Sequence, residues 1–74
     1  MSDLPDCSSS DVIRVLGRAG FVFERASGSH HIFRKPGLRR PVVVPHPRKS
    51  LPAGTLRAII RQAGMTREEF IGLL

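Results

Sequence analysis

Two adjacent histidines, His30 and His31, are the residues whose type and position best suit chemistry. They directly follow Gly28 and Ser29, a pair typical of a tight turn, and so stand at the start of a strand. Imidazole takes up and releases protons near neutral pH. RNA cleavage requires both abilities. One group removes the 2′-hydroxyl proton, and another protonates the leaving 5′-oxygen. Because RNA carries its own nucleophile, we expect no metal and no cofactor.

The two histidines are expected to play different roles, because neighbouring side chains on a strand point to opposite faces. His31 shares a face with Phe33, a candidate core residue, whereas His30 shares a face with Ile32 and Arg34. Alternation therefore favours His30 as the exposed, catalytic histidine. His31 remains the alternative.

The charge of the chain predicts an anionic partner. Twelve Lys and Arg against six Asp and Glu give a formal net charge of +6. Nucleic acid is favoured over a membrane surface because the basic residues fall in predicted loops and strand ends, and no basic helix with a wide apolar face is present. The candidate RNA contacts are Arg25, Arg34, Lys35, Arg39, Arg40, His46, Arg48 and Lys49.

Other chemistries fit the sequence less well. A zinc site would combine Cys7 with the three histidines, but zinc sites favour short paired spacings and none here includes a cysteine. Ser29 as a nucleophile would need a partner acid, and Glu24 stands on the preceding strand. The histidine pair is also compatible with ordinary surface polar residues beside a turn.

The first half of the chain predicts a helix and three strands. Apolar residues recur at helical spacing from a cap at Ser8 or Ser9 to Gly20, which suits a left-handed C-terminal position. An alternating pattern from Phe21, a second strand over 30–34 and a β-branched run over 42–44 follow, separated by Gly and Pro. The short links predict antiparallel pairing.

The second half predicts a connector and two helices. The proline-rich segment 45–50 is expected to be exposed because its prolines lack N–H donors. A helix then starts near Pro52 and stops at Gly64, and a capping box over 66–69 begins a short last helix whose apolar side is formed by Phe70, Leu73 and Leu74.

The predicted fold class is α+β: a helix, a three-stranded antiparallel sheet, a helix and a short C-terminal helix, with the helices covering one face of the sheet and the other face open to bind. Residues 1–7 are expected to be a flexible N-terminal tail, and residues 8–74 a single domain. One cysteine, the lack of an apolar run of roughly 18 residues and the lack of signal-peptide regions at the start together predict a cytoplasmic protein.

Three segments, 28–34 (GSHHIFR), 42–47 (VVVPHP) and 51–64, resemble the HicA family in order and spacing, over nearly the whole chain after the tail. The resemblance implies a fold like the double-stranded RNA-binding domain, in agreement with the elements above. It also implies a toxin of a bacterial toxin–antitoxin pair that cleaves mRNA without a metal and is inhibited by a HicB antitoxin. The family's catalytic histidine follows the Gly-Ser turn and maps best on His30, with His31 still possible, and Gly28 and Ser29 match the turn that presents it.

The sequence thus predicts an endoribonuclease toxin whose partners are mRNA and a HicB-type antitoxin, with no membrane and no DNA contact by the toxin alone. An acidic antitoxin would cover the same basic face. A non-catalytic RNA-binding module using that face is the alternative, because fold alone does not separate the two. A protein-interaction subunit whose charge serves an acidic partner is a third hypothesis.

Overall fold

Three helices and three strands make up the computed structural model, which describes residues 4–74. The elements in chain order are α1 (Ser9–Arg18), β1 (Val22–Ser27), β2 (His30–Arg34), β3 (Val42–Pro45), α2 (Ala53–Gln62) and α3 (Arg67–Leu73). The predicted α+β architecture is confirmed. None of the helices within the described residues is long and apolar enough to cross a membrane.

Side chains close the N-terminal ends of α1 and α3. The Ser8 Oγ accepts the Asp11 N–H at 3.1 Å, and an Asp11 carboxylate oxygen accepts the Ser8 N–H at 3.0 Å. Thr66 and Glu69 make the same reciprocal pair, as the sequence predicted. Each pair satisfies backbone donors that lack a partner in the first turn. Because Ser8 is the cap of α1, the hydroxyl of Ser9 is available for another contact.

The sheet has the order β1-β2-β3, and both pairings are antiparallel. β1 and β2 are joined by a two-residue turn in which Gly28 has a φ of 58°. A positive φ at the first turn position is the requirement of a type II′ turn, which only glycine meets at low cost. The register shifts between Phe23 and Arg25, so a bulge interrupts β1. The tight turn fixes the position at which β2 begins.

The helices pack on one face of the sheet, as predicted. Phe33, Val42 and Val44 supply this face to the core cluster, which also contains Val12, Val15, Leu16, Leu56, Ile59, Ile60 and Phe70. The opposite face carries Ile32, which is only 7% exposed although it is not part of that cluster. Its register partners are Arg25 and Val43. We call this second face the open face.

The segment before α1 contributes a residue to the core. The expected tail covers residues 1–7, of which residues 1–3 lie outside the described part of the chain. Cys7, however, is 2% exposed and belongs to the core cluster. Its carbonyl oxygen accepts the Leu51 N–H at 2.9 Å. Cys7 is therefore a core residue, because the segment before α1 is tied to the connector before α2.

Phe21 and Phe23, which the alternating pattern from Phe21 places on one side of the predicted first strand, have different surroundings. Phe21 precedes β1, is buried, and donates its N–H to the Leu16 carbonyl at 2.9 Å, so it belongs to the end of α1. Phe23 is 51% exposed. The expected apolar side of α3 is also shorter than predicted, because Phe70 is fully buried while Leu74 is 38% exposed at the end of the chain.

Candidate active site

His30 and His31 point to opposite faces of the sheet. His31 lies opposite Val44, a fully buried core residue, and so faces the side that the helices cover. His30 lies opposite Ser27 and Pro45, on the open face, and is exposed. The pair therefore consists of one solvent-facing histidine and one half-buried histidine.

His31 is packed between two other rings. The centroid of the His46 ring lies 4.7 Å from that of His31, with an angle of 71° between the planes, an edge-to-face contact. On the other side, the Phe23 ring centroid lies 5.6 Å from His31 and 5.7 Å from Phe33. We call Phe23, His31 and His46 the ring cluster. Since Phe23 is half exposed, the cluster lies at the surface.

His46 is held in place by two parts of the chain. The Ser9 Oγ lies 2.7 Å from the His46 Nδ1, and the His46 N–H donates to the Ser29 carbonyl at 2.7 Å. The Ser9 Oγ also accepts the Arg48 N–H at 2.9 Å and lies 3.2 Å from the Arg48 carbonyl oxygen. Ser9 itself is 1% exposed. The start of α1 and the hairpin turn thus fix both the backbone and the ring of His46.

Sequence reasoning missed the contact between His31 and His46, as well as the roles of Ser9 and Phe23. It treated His46 as an exposed connector residue and candidate RNA contact. Thirty-seven positions separate Ser9 from His46, and no local pattern joins them. The one available signal was the run of three serines at the start of α1, which holds more hydroxyl groups than a helix cap uses.

Two of the predicted RNA contacts, Arg25 and Arg34, are engaged in ion pairs. Glu24, at the bulge of β1, pairs with both Arg25 and Arg34. The side chains of these arginines remain 60% and 50% exposed, respectively. A single carboxylate thus partly neutralises the positive charge on the open face.

The remaining predicted cations lie in different places. Arg48 and Lys49 line a shallow pocket with Pro47 and the serines at the start of α1, so this pocket adjoins His46. Arg40 lines a second pocket between β3 and α2, together with Arg61, Pro41, Val43, Ala58 and Gln62. The Lys35 ammonium lies 5.6 Å from the centre of the Phe21 ring, and Arg39 is exposed. The predicted RNA contacts are therefore divided among several separate parts of the surface.

Among residues 4–74, no three His, Cys, Asp or Glu side chains come close enough together to hold a metal ion. Cys7, which the zinc hypothesis needs, is enclosed in the core, and burial, with smaller contributions from Asp11 and Asp6, raises the pKa of its thiol. Zinc ligation requires the thiolate, which this environment disfavours. The ring cluster is therefore the site that we consider for chemistry.

Comparison with known protein families places the chain in one of them. The family model of the HicA toxin of bacterial toxin–antitoxin systems matches residues 9–65, more than half of the chain. No curated protein matches the chain. The matched segment contains β1 to β3, α2 and the whole ring cluster. The chain therefore belongs to the HicA family, the toxins of bacterial toxin–antitoxin systems.

Proposed function

We propose that this toxin is an endoribonuclease that cleaves mRNA without a metal, with His31 as the general base. The observation that carries the proposal is the edge-to-face contact of two imidazoles, 4.7 Å between centroids, at a surface position beside an exposed aromatic ring. The base removes the 2′-hydroxyl proton, the 2′-oxygen attacks phosphorus, and the 5′-oxygen leaves.

The environment of the two histidines supports His31 over His30. A general base has to be held close to the proton that it removes, and loss of orientation lowers the rate steeply. His31 is confined between Phe23 and His46. Within the described residues, no hydrogen bond or ring contact holds the side chain of His30, which is exposed on the open face. His30, the position that the family resemblance favours, is the competing assignment.

Cations near the ring cluster supply the proposed RNA contacts. Arg48 and Lys49 line the pocket that adjoins His46 and can contact the phosphates on either side of the cleaved bond. Arg25 and Arg34, paired with Glu24, are weaker candidates. Lys35, Arg39 and Arg40 would contact more distant phosphates.

As a toxin of a toxin–antitoxin system, the chain has an antitoxin as its partner. We propose that this antitoxin is a HicB-type protein that covers the ring cluster, and that its acidic groups complement the net charge of +6. Binding there would block both histidines and the adjoining cations. The cytoplasm, where mRNA is translated, is the proposed location of the reaction.

The test compares His31→Ala with His30→Ala under an inducible promoter and in purified form. We expect the native chain to arrest growth and to cleave a synthetic RNA in the presence of a chelator. We expect His31→Ala to abolish both effects and His30→Ala to retain most of the cleavage rate. Circular dichroism checks that both variants are folded.

Three results would contradict the proposal. If only His30→Ala relieves toxicity, the base has been assigned to the wrong histidine. If the native chain binds RNA but the RNA is recovered intact after long incubation, the protein is a non-catalytic RNA-binding module. If the native chain shows no RNA binding even at low salt, where phosphate contacts are strongest, the protein is instead a protein-interaction subunit.

A further inference from the structure

The hydroxyl of Ser9 has three polar neighbours but only one proton to donate. The Arg48 N–H donates to this oxygen at 2.9 Å. Two acceptors compete for the hydroxyl proton: the His46 Nδ1 at 2.7 Å and the Arg48 carbonyl oxygen at 3.2 Å. The Arg48 carbonyl already accepts the Ser9 backbone N–H at 3.0 Å. The hydroxyl can therefore donate its proton to Nδ1, the nearer acceptor, or accept a proton from Nδ1 and donate to the Arg48 carbonyl.

This arrangement sets the chemistry of the other ring nitrogen of His46. When Nδ1 accepts a hydrogen bond, the proton of a neutral imidazole resides on Nε2. When the ring carries two protons, Nδ1 donates to the Ser9 Oγ, and the hydroxyl proton turns to the Arg48 carbonyl. Ser9 can thus hold His46 in the same orientation whether the ring is neutral or doubly protonated, and in the doubly protonated ring Nε2 is the free proton donor. The ring contact places His46 directly beside His31.

We propose that His46 is the second proton-transfer group of the site, the general acid that protonates the leaving 5′-oxygen, and that Ser9 is its positioning residue. The inference rests on the proposed ribonuclease function and extends it to a residue otherwise assigned only to RNA contact. Two rings with centroids 4.7 Å apart can meet different oxygens of one phosphate group.

The step balances with these two groups alone. The bond from the 2′-oxygen to phosphorus forms, and the bond from phosphorus to the 5′-oxygen breaks. The 2′-hydroxyl proton moves to the neutral ring of His31, and the doubly protonated ring of His46 gives its Nε2 proton to the 5′-oxygen. The ring of His46 keeps the Nδ1 proton in its hydrogen bond to the Ser9 Oγ. The products are a 2′,3′-cyclic phosphate and a 5′-hydroxyl end, and exchange with solvent restores both histidines.

The test uses two oligonucleotides with a single cleavable linkage, one with the natural 5′-oxygen and one in which sulfur replaces it. A thiolate leaves without being protonated, so the sulfur substrate does not need the acid. The variant is His46→Asn, whose side-chain amide can still meet Ser9 but has no group in the place of Nε2. His31→Ala is the matched control, because loss of the base slows both substrates.

We expect His46→Asn to cleave the natural linkage about 10²- to 10⁴-fold more slowly than the native chain and the sulfur linkage within a few-fold of it. We expect Ser9→Ala to show the same pattern more weakly, whereas a folding defect would slow both substrates equally. Equal slowing of both substrates by a folded His46→Asn variant, or no slowing of the natural linkage, would overturn the role of His46. If the native chain cleaves neither substrate, the ribonuclease function fails, and the role of His46 with it.

Discussion

Phe23 presents an aromatic ring to solvent within the ring cluster, and this predicts a stacking position for one base of the RNA. The ring is 51% exposed, and its inner side contacts His31 and Phe33. Stacking of a base on an aromatic side chain contributes about 1–3 kcal/mol. Bound there, a base would direct its own phosphate towards the two histidines.

We therefore expect Phe23→Ala to weaken the binding of single-stranded RNA by roughly 5- to 150-fold, with a smaller effect on the rate at saturating RNA. Fluorescence anisotropy with a labelled oligonucleotide measures the affinity. Val22→Ala is the control, because Val22 is 64% exposed but stands opposite Arg34, on the open face. Equal losses in the two variants would rule out the stacking position.

At the scale of the elements, the turn that joins β1 and β2 carries the geometry of the site. Gly28 has a φ of 58°, and no atom lies within 4 Å of a methyl group added there. Substitution at Gly28 therefore tests backbone conformation without a steric clash. The turn also provides the Ser29 carbonyl that holds the backbone of His46.

We expect Gly28→Ala to lower the free energy of unfolding by about 1–2 kcal/mol, because an L-residue avoids the left-handed region. We expect a further loss of cleavage rate, because the positions of both histidines depend on the turn. Gly54→Ala, equally free of contacts but in α2, should leave stability unchanged or slightly raised. Denaturant unfolding and cleavage assays compare the two, and a Gly28→Ala variant as stable and as active as the native chain would contradict this account.

The elements could be predicted from the sequence because their signals are local. Each of these signals involves residues within four positions of one another: capping pairs, glycines past helix ends and apolar spacing. They predicted α1, α3 and the order of the strands. The ring cluster and its contact with Ser9 could not be predicted from local signals. His31, His46 and Ser9 come together only when β3 pairs with β2 and packs against α1. The alternation of side chains along a strand predicted that His30 and His31 point to opposite faces of the sheet. It did not predict that His31, on the helix-covered face, has His46 as a polar neighbour.

At the scale of the whole molecule, the distribution of charge decides which face meets RNA. The open face carries Arg25 and Arg34, neutralised in part by Glu24, while Arg48 and Lys49 lie beside His46. The two pairs have equal formal charge. Substituting each pair in turn therefore separates position from net charge.

We expect the double variant Arg48→Gln, Lys49→Gln to weaken RNA binding and to reduce the slope of log affinity against log salt by about 1.4, the value for two contacts with a single strand. The matched variant Arg25→Gln, Arg34→Gln should change the slope less. Affinity measured across a salt series distinguishes the two, and a larger change from the second variant would place the RNA on the open face.

The small size of the molecule leaves little reserve of stability. A core of this size contributes a net stability of only about 3–5 kcal/mol. A single truncation of a fully buried leucine such as Leu16 costs about 2–5 kcal/mol and could unfold the toxin by itself. Loss of toxicity therefore identifies a functional residue only when the variant is shown to be folded.

The thiol of Cys7 can be used to measure whether a variant is folded. Its thiol is the only one in the chain, it lies in the core cluster, and burial raises its pKa. A thiol reagent reacts with the thiolate, so labelling of Cys7 has to wait for the segment between Leu4 and α1 to open. The labelling rate in the folded toxin thus reports the frequency of that opening. An antitoxin that binds the native toxin would slow labelling even at a surface far from Cys7, and the same reaction would follow the release of the toxin from its complex over time.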